Sequence, residues 1–128
     1  MPSKSLLAAL PAAAALLAGC ASMYGSAAPA HMHEGMLVDS KGITLYTFDR
    51  DMAGSGKSAC TGDCAVKWPP LLAGANDRAV GDWSIVARDD GRRQWAWRGK
   101  PLYTWPEDQE PGDKYGDNYN KVWHAVRE

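Results

Sequence analysis

"LYTFDRD", residues 45–51, recurs as "LYTWPED" at residues 102–108. Each copy follows a short apolar run and a tight turn containing glycine, Gly42 before the first and Gly99 before the second. Each precedes an acidic, glycine-bearing loop that leads to Gly-Asp and then a tryptophan: Gly62-Asp63 to Trp68, and Gly116-Asp117 to Trp123. The shared order of strand, turn, phrase, loop, Gly-Asp and Trp reads as an internal duplication, with units at about 36–72 and 94–126. In an extended chain, successive side chains face opposite sides. Leu45 and Thr47 therefore face away from Tyr46 and Phe48, and Leu102 and Thr104 away from Tyr103 and Trp105. One hairpin cannot bury such an aromatic face alone, whereas two related hairpins can cover each other. The expectation is a mainly β domain, small and two-sheeted or barrel-like, built from two pseudo-repeated hairpin units. Tyr46 and Tyr103 should sit in equivalent places about a pseudo-twofold axis.

Working outward, "GMLVDSKGITLYTF" gives two short strands around Ser40-Lys41-Gly42. Residues 83–88, 93–98 and 102–105 give three more, turning at Asp89-Asp90-Gly91 and at Gly99-Lys100, and "KVWHAVR" gives a last one. "CTGDCAVKW" allows a single helical turn that Pro69-Pro70 would stop. Leu, Ile, Val and Phe are sparse, so the six tryptophans must supply much of the core. Trp95 and Trp97, two apart on one strand, share a face that is either core or a surface platform for sugar rings or a partner protein.

The N-terminus is a short basic start followed by the apolar run Ser5 to Ala18, too short to span a membrane as a helix. Residues 1–19 read as a signal peptide. The run ends in Leu17-Ala18-Gly19-Cys20, which resembles the lipobox of bacterial lipoproteins. That resemblance implies cleavage before Cys20, a lipid on its thiol and a stable membrane anchor. Ala21 is not the Asp that commonly retains such proteins in the inner membrane, so the expected location is the outer membrane, facing the periplasm (or the cell membrane where there is only one). Residues 20–35 read as the lipidated Cys and a flexible tether, and residues 36–128 as one domain. The net charge of −1 is spread without a basic block, which removes the electrostatic footprint of a nucleic-acid partner.

Both Tyr46-Thr47-Phe48-Asp49-Arg50-Asp51 and Tyr103-Thr104-Trp105-Pro106-Glu107-Asp108 fit the pattern Y-x-[FWY]-x-x-D. That pattern resembles the bacterial lipoproteins called the secreted repeat of unknown function. "CTGDCAVKWPPLL", "GKPLYTW" and "GDNYNKVWHAV" are similar to the same family's linking segments. The resemblance singles out Tyr46, Phe48, Asp51, Tyr103, Trp105 and Asp108, and implies a class and a location but no reaction.

For chemistry, Cys60 and Cys64 are an even pair in an oxidising compartment and read as a disulfide closing a small loop. "GSGKS" at 54–58 lacks the first glycine of a phosphate loop, since that position is Asp51. The acidic loops hold Asp49, Asp51, Glu107, Asp108, Asp113 and Asp117, without the spacing of a calcium loop. No G-x-S-x-G elbow is present, and His124 has no nucleophile to serve. An enzyme is therefore not expected. His31, Met32, His33 and Met36 put four soft or borderline donors into six residues, a pattern suited to copper. The leading reading is a non-catalytic binding module whose partners are the membrane, through its lipid, and an envelope protein or glycan. The alternative is periplasmic copper binding by the His/Met segment; no other cofactor is expected.

Overall fold

A computed structural model describes residues 27–128; the signal peptide and Cys20 lie outside the described residues. Eight short strands follow in chain order: β1 (Ala30–His33), β2 (Met36–Asp39), β3 (Tyr46–Phe48), β4 (Leu72–Ala73), β5 (Trp83–Ala87), β6 (Arg93–Trp97), β7 (Lys100–Pro101) and β8 (Trp123–Ala125). A one-turn helix α1 (Asp63–Lys67) precedes β4, and a 3-10 turn (Tyr119–Lys121) precedes β8. Strand β1 pairs with β2, β3 with β8, and β6 with β4, β5 and β7. The domain is thus mainly β and made of small sheets that do not close into a barrel.

The duplication is visible in the backbone. Leu37 N–H donates to Val126 O at 2.9 Å, Leu45 N–H to Leu37 O at 3.0 Å, and Val126 N–H to Leu45 O at 3.0 Å. The second half repeats the triangle: Trp95 N–H to Leu71 O at 2.8 Å, Leu102 N–H to Trp95 O at 3.0 Å, and Leu71 N–H to Leu102 O at 2.9 Å. Leu37 thus corresponds to Trp95, Leu45 to Leu102, and Val126 to Leu71. The last segment of each unit is bonded to the hairpin of the other, so the units exchange their ends. At the centre Tyr46 and Tyr103 exchange both backbone bonds, at 2.9 and 3.0 Å, which marks the pseudo-twofold axis.

Alternation then builds two cores. Leu45 and Leu102 face a cluster with Ala30, Leu37, Trp83, Trp95 and Val126. Tyr46, Tyr103 and Phe48 face the other way, into a cluster with Cys60, Trp68, Trp123 and Ala125. Trp95 belongs to the first core, and Trp97 is half-buried against it with the Arg98 guanidinium 4.2 Å from its ring. These two are core and core margin, not a sugar platform.

Two expected boundaries move. Residues 30–35 are not the end of a tether: β1 pairs with β2 along its whole length, from Ala30↔Asp39 to His33↔Met36. Glu34 and Gly35, both at positive φ (51° and 84°), make the tight turn between them. Ala30 and Met32 supply the apolar side of β1 by packing on the first core. The turn expected at Gly99-Lys100 falls at Arg98-Gly99 (φ 50° and 85°), and Lys100 begins β7.

Candidate functional site

The motif residues meet across the axis. Tyr46 Oη donates to Asp108 Oδ2 at 2.5 Å, and Tyr103 Oη donates to Asp51 Oδ2 at 2.6 Å. Each phenol therefore holds the carboxylate of the other copy. The second carboxylate oxygens accept loop amides, Asp51 Oδ1 from Ala59 at 2.6 Å and Asp108 Oδ1 from Tyr115 at 2.9 Å. Both tyrosines are fully buried and both aspartates nearly so. Neither carboxylate has an ion-pair partner among the described residues, so the hydrogen bonds carry the cost of burying the charge. Burial, and then the adjacent carboxylates, push both phenols well above their ordinary value of 10.0.

Around these pairs runs an unbroken aromatic stack. Phe48 lies on Trp123 at 4.2 Å between centroids, Trp123 on Trp68 at 3.9 Å with planes 4° apart, and Trp68 on Trp105 at 4.3 Å. Tyr46 meets Trp68 edge-on at 5.4 Å, and Tyr103 meets Trp123 edge-on at 5.1 Å. Trp68 and Trp123 are symmetry mates that stack on each other. Beyond Trp105 the series reaches Tyr119 at 5.0 Å, which is 40% exposed.

The halves differ where the loops return. Cys60 follows the amide that caps Asp51, and Gly116 follows the one that caps Asp108, so they occupy matching positions. Cys60 is bonded to Cys64, as expected, which ties the loop to α1. At Gly116 a Cβ would lie 2.8 Å from Trp68 Cη2 and 3.0 Å from Trp105 Cγ. The larger Trp105, standing where the first unit has Phe48, takes the space that any side chain at 116 would need. After Gly116 the chain makes a left-handed excursion instead of a helix, with φ of 65°, 49° and 63° at Asn118, Asn120 and Lys121. Tyr119 on this excursion is 40% exposed, and Tyr115, just before Gly116, is 69% exposed.

Arg88 is a residue that pattern reading missed. It is buried, and it donates to Gln94 Oε1 at 2.7 Å, Ser58 Oγ at 3.0 Å and Cys60 O at 2.6 Å, leaving its Nε without a partner. Ser58 Oγ in turn lies 2.6 Å from Tyr103 Oη, so Arg88 braces the first unit's loop under the Tyr103–Asp51 pair. Its burial had no signal in the sequence, where it simply ends a strand before an Asp-Asp-Gly turn. A cleft of about 660 Å³ opens beside it between α1 and the β5–β6 turn.

The His/Met donors do not all converge. Hairpin register puts His31, His33 and Met36 on one face, with the two imidazoles 6.4 Å apart, while Met32 packs on the core behind. Three of the remaining acidic residues have protein partners. Asp113 accepts the amides of Gln109 and Glu110, Asp117 pairs with Arg127 at 2.6 Å, and Asp49 lies 2.9 Å from His124. Among the described residues no three His, Cys, Asp or Glu side chains group as a metal site.

No curated protein and no solved structure matches the chain. The family described as a secreted repeat of unknown function matches it twice, over residues 33–72 and 84–127. These are the two units whose tyrosines and aspartates interlock, and the chain belongs to that family of secreted repeats.

Proposed function

We propose that this is a non-catalytic binding module of the bacterial envelope, anchored through lipid on Cys20 in the outer membrane and facing the periplasm. The supporting observation is the surface around Trp105, Tyr115 and Tyr119. The exposed phenol of Tyr119 lies 5.0 Å from the half-buried indole of Trp105, between the left-handed residues Asn118 and Asn120, and Tyr115 on the same loop is a second exposed phenol. Such backbone costs on the order of 1 kcal/mol or more per residue and persists where the surroundings impose it. The equivalent stretch of the first unit is an ordinary helical turn closed by a disulfide. Aromatic faces flanked by the amides of Asn118 and Asn120 suit sugar rings, whose C–H faces stack while their hydroxyls bond. The partner is a glycan strand of the cell wall. Sedimentation of the lipid-free mature protein with purified peptidoglycan should carry it into the pellet. Tyr115→Ala/Tyr119→Ala should lose most of that binding with unchanged circular dichroism. Equal sedimentation of both proteins would remove the surface from consideration.

A second reading is copper binding, favoured by the shared face of His31, His33 and Met36. Because these donors sit on a paired hairpin, little ordering cost opposes the metal. Cu(I) titration against a competing chelator should show a site in wild type that His31→Ala/His33→Ala abolishes. Equal competition by both proteins would exclude it.

A further inference from the structure

We propose that the aromatic stack is a one-electron relay that carries oxidising equivalents from the surface to the buried Tyr–Asp pairs. The observation is that the two features are continuous. From Tyr119 at the surface, ring contacts run through Trp105, Trp68 and Trp123, none of them more than 5.0 Å between centroids. The stack ends edge-on against phenols: Trp68 on Tyr46 and Trp123 on Tyr103. Each phenol already donates its proton to a carboxylate, at 2.5 and 2.6 Å.

The chemistry balances at each step. A one-electron oxidant of the radical class, such as azidyl or carbonate radical, takes an electron from Trp105, leaving an indole radical cation, and departs as its anion. Trp68 refills Trp105, Trp123 refills Trp68, and Tyr103 refills Trp123. Tyr103 loses one electron to the stack and its phenolic proton to Asp51, becoming a neutral phenoxyl radical beside a neutral carboxylic acid. Tyr46 can do the same one ring earlier, through Trp68 and Asp108. Among the described residues no hydrogen-bonded carboxylate faces the indole N–H of Trp68, Trp105 or Trp123, so the Tyr–Asp pairs are where the hole comes to rest. There it is shielded from solvent, since both tyrosines are fully buried. The two units thus give one conduit with two equivalent terminal sites, and packing alone does not require a hydrogen-bonded carboxylate at each end.

The test is pulse radiolysis of the full mature chain in azide solution, following indolyl and phenoxyl absorption in time. In wild type the indolyl signal should decay as the phenoxyl signal grows, more slowly in D₂O because the proton moves with the electron. Tyr46→Phe/Tyr103→Phe should lengthen the indolyl lifetime and cut the phenoxyl yield several-fold, leaving only the surface tyrosines. Trp68→Phe, with Tyr46 and Tyr103 intact, should slow the growth of phenoxyl several-fold. If the tyrosine double variant is too unstable to measure, Asp51→Asn and Asp108→Asn, singly, should each lower the yield while keeping the phenol. Indolyl decay and phenoxyl yield that match wild type in these variants, or growth indifferent to D₂O, would overturn the relay. Peptidoglycan binding plays no part in this readout, so the two proposals stand or fall separately.

Discussion

Trp68→Ala should destabilise the domain by about 3–5 kcal/mol, the usual cost of emptying a buried aromatic site. Trp68 is 3% exposed and touches Trp123, Trp105, Tyr46 and Tyr119 with its ring. A small domain holds only ~5–15 kcal/mol in all. The loss therefore translates into a fall in Tm of roughly 12–40 °C. Trp123→Ala should behave alike, because the pseudo-twofold axis places it in the same contacts, face-on to Trp68 and edge-on to a motif tyrosine. The two substitutions should not add, since each ring is the other's closest neighbour in the stack, and a double-mutant cycle should give a coupling of about 0.5–3 kcal/mol. Urea unfolding of the four proteins measures it. Additive effects below ~1 kcal/mol each would show that the stack is not the element that joins the halves.

That joining is the part of the fold that residue order does not reveal. The faces of the two hairpins were legible, because strand alternation is local: Leu45 and Leu102 went to one core and Tyr46 and Tyr103 to the other, as the spacing implied. The exchange of ends was not, because the bonds from Val126 to Leu45 and from Leu71 to Leu102 join residues of different units. The repeated spacing from Tyr46 to Asp51 and from Tyr103 to Asp108 invites pairing within each copy. Both pairings instead cross the axis, since within a strand and its following loop the aspartate is carried away from its own tyrosine and towards the other. A duplicated motif on a twofold always offers this choice, and only the packing decides it.

The misplaced edge of the domain has a different cause. Small residues before Gly35 resemble a linker by composition, and composition outweighed pattern there. The pattern was present: Ala30 and Met32 alternate with His31 and His33, and Glu34-Gly35 fits a two-residue turn. Once β1 is recognised, the four candidate copper donors divide by strand parity, with Met32 against the first core and Met36, on the other face with His31 and His33, against the second. Arg88 is the opposite case, a cation that burial turns into a brace for Cys60 and Ser58, for which no periodicity could have argued.

The reciprocal Tyr–Asp pairs make an alkaline limit on stability the second large effect. Burial and the facing carboxylates raise both phenols above their ordinary value of 10.0, so folding opposes their ionisation. A group raised in the folded state contributes its full stability below its unfolded value. That contribution declines as pH climbs above about 10 towards the folded values. Two such groups act in the same direction, and both lie at the axis where the halves meet. Stability in urea should therefore be flat in this respect up to about pH 9.5, then fall steeply, with the phenolate absorbance of Tyr46 and Tyr103 emerging only as the near-ultraviolet dichroism of the tryptophans collapses. Tyr46→Phe/Tyr103→Phe should lose about 1–3 kcal/mol per site at neutral pH, because each leaves a buried carboxylate without its donor. The same variant should lack the alkaline component, so its stability and that of wild type converge as pH rises. Ionisation of all five tyrosines in one step while the domain stays folded would contradict the reciprocal pairing, since a phenolate cannot remain against a buried carboxylate without separating the two units.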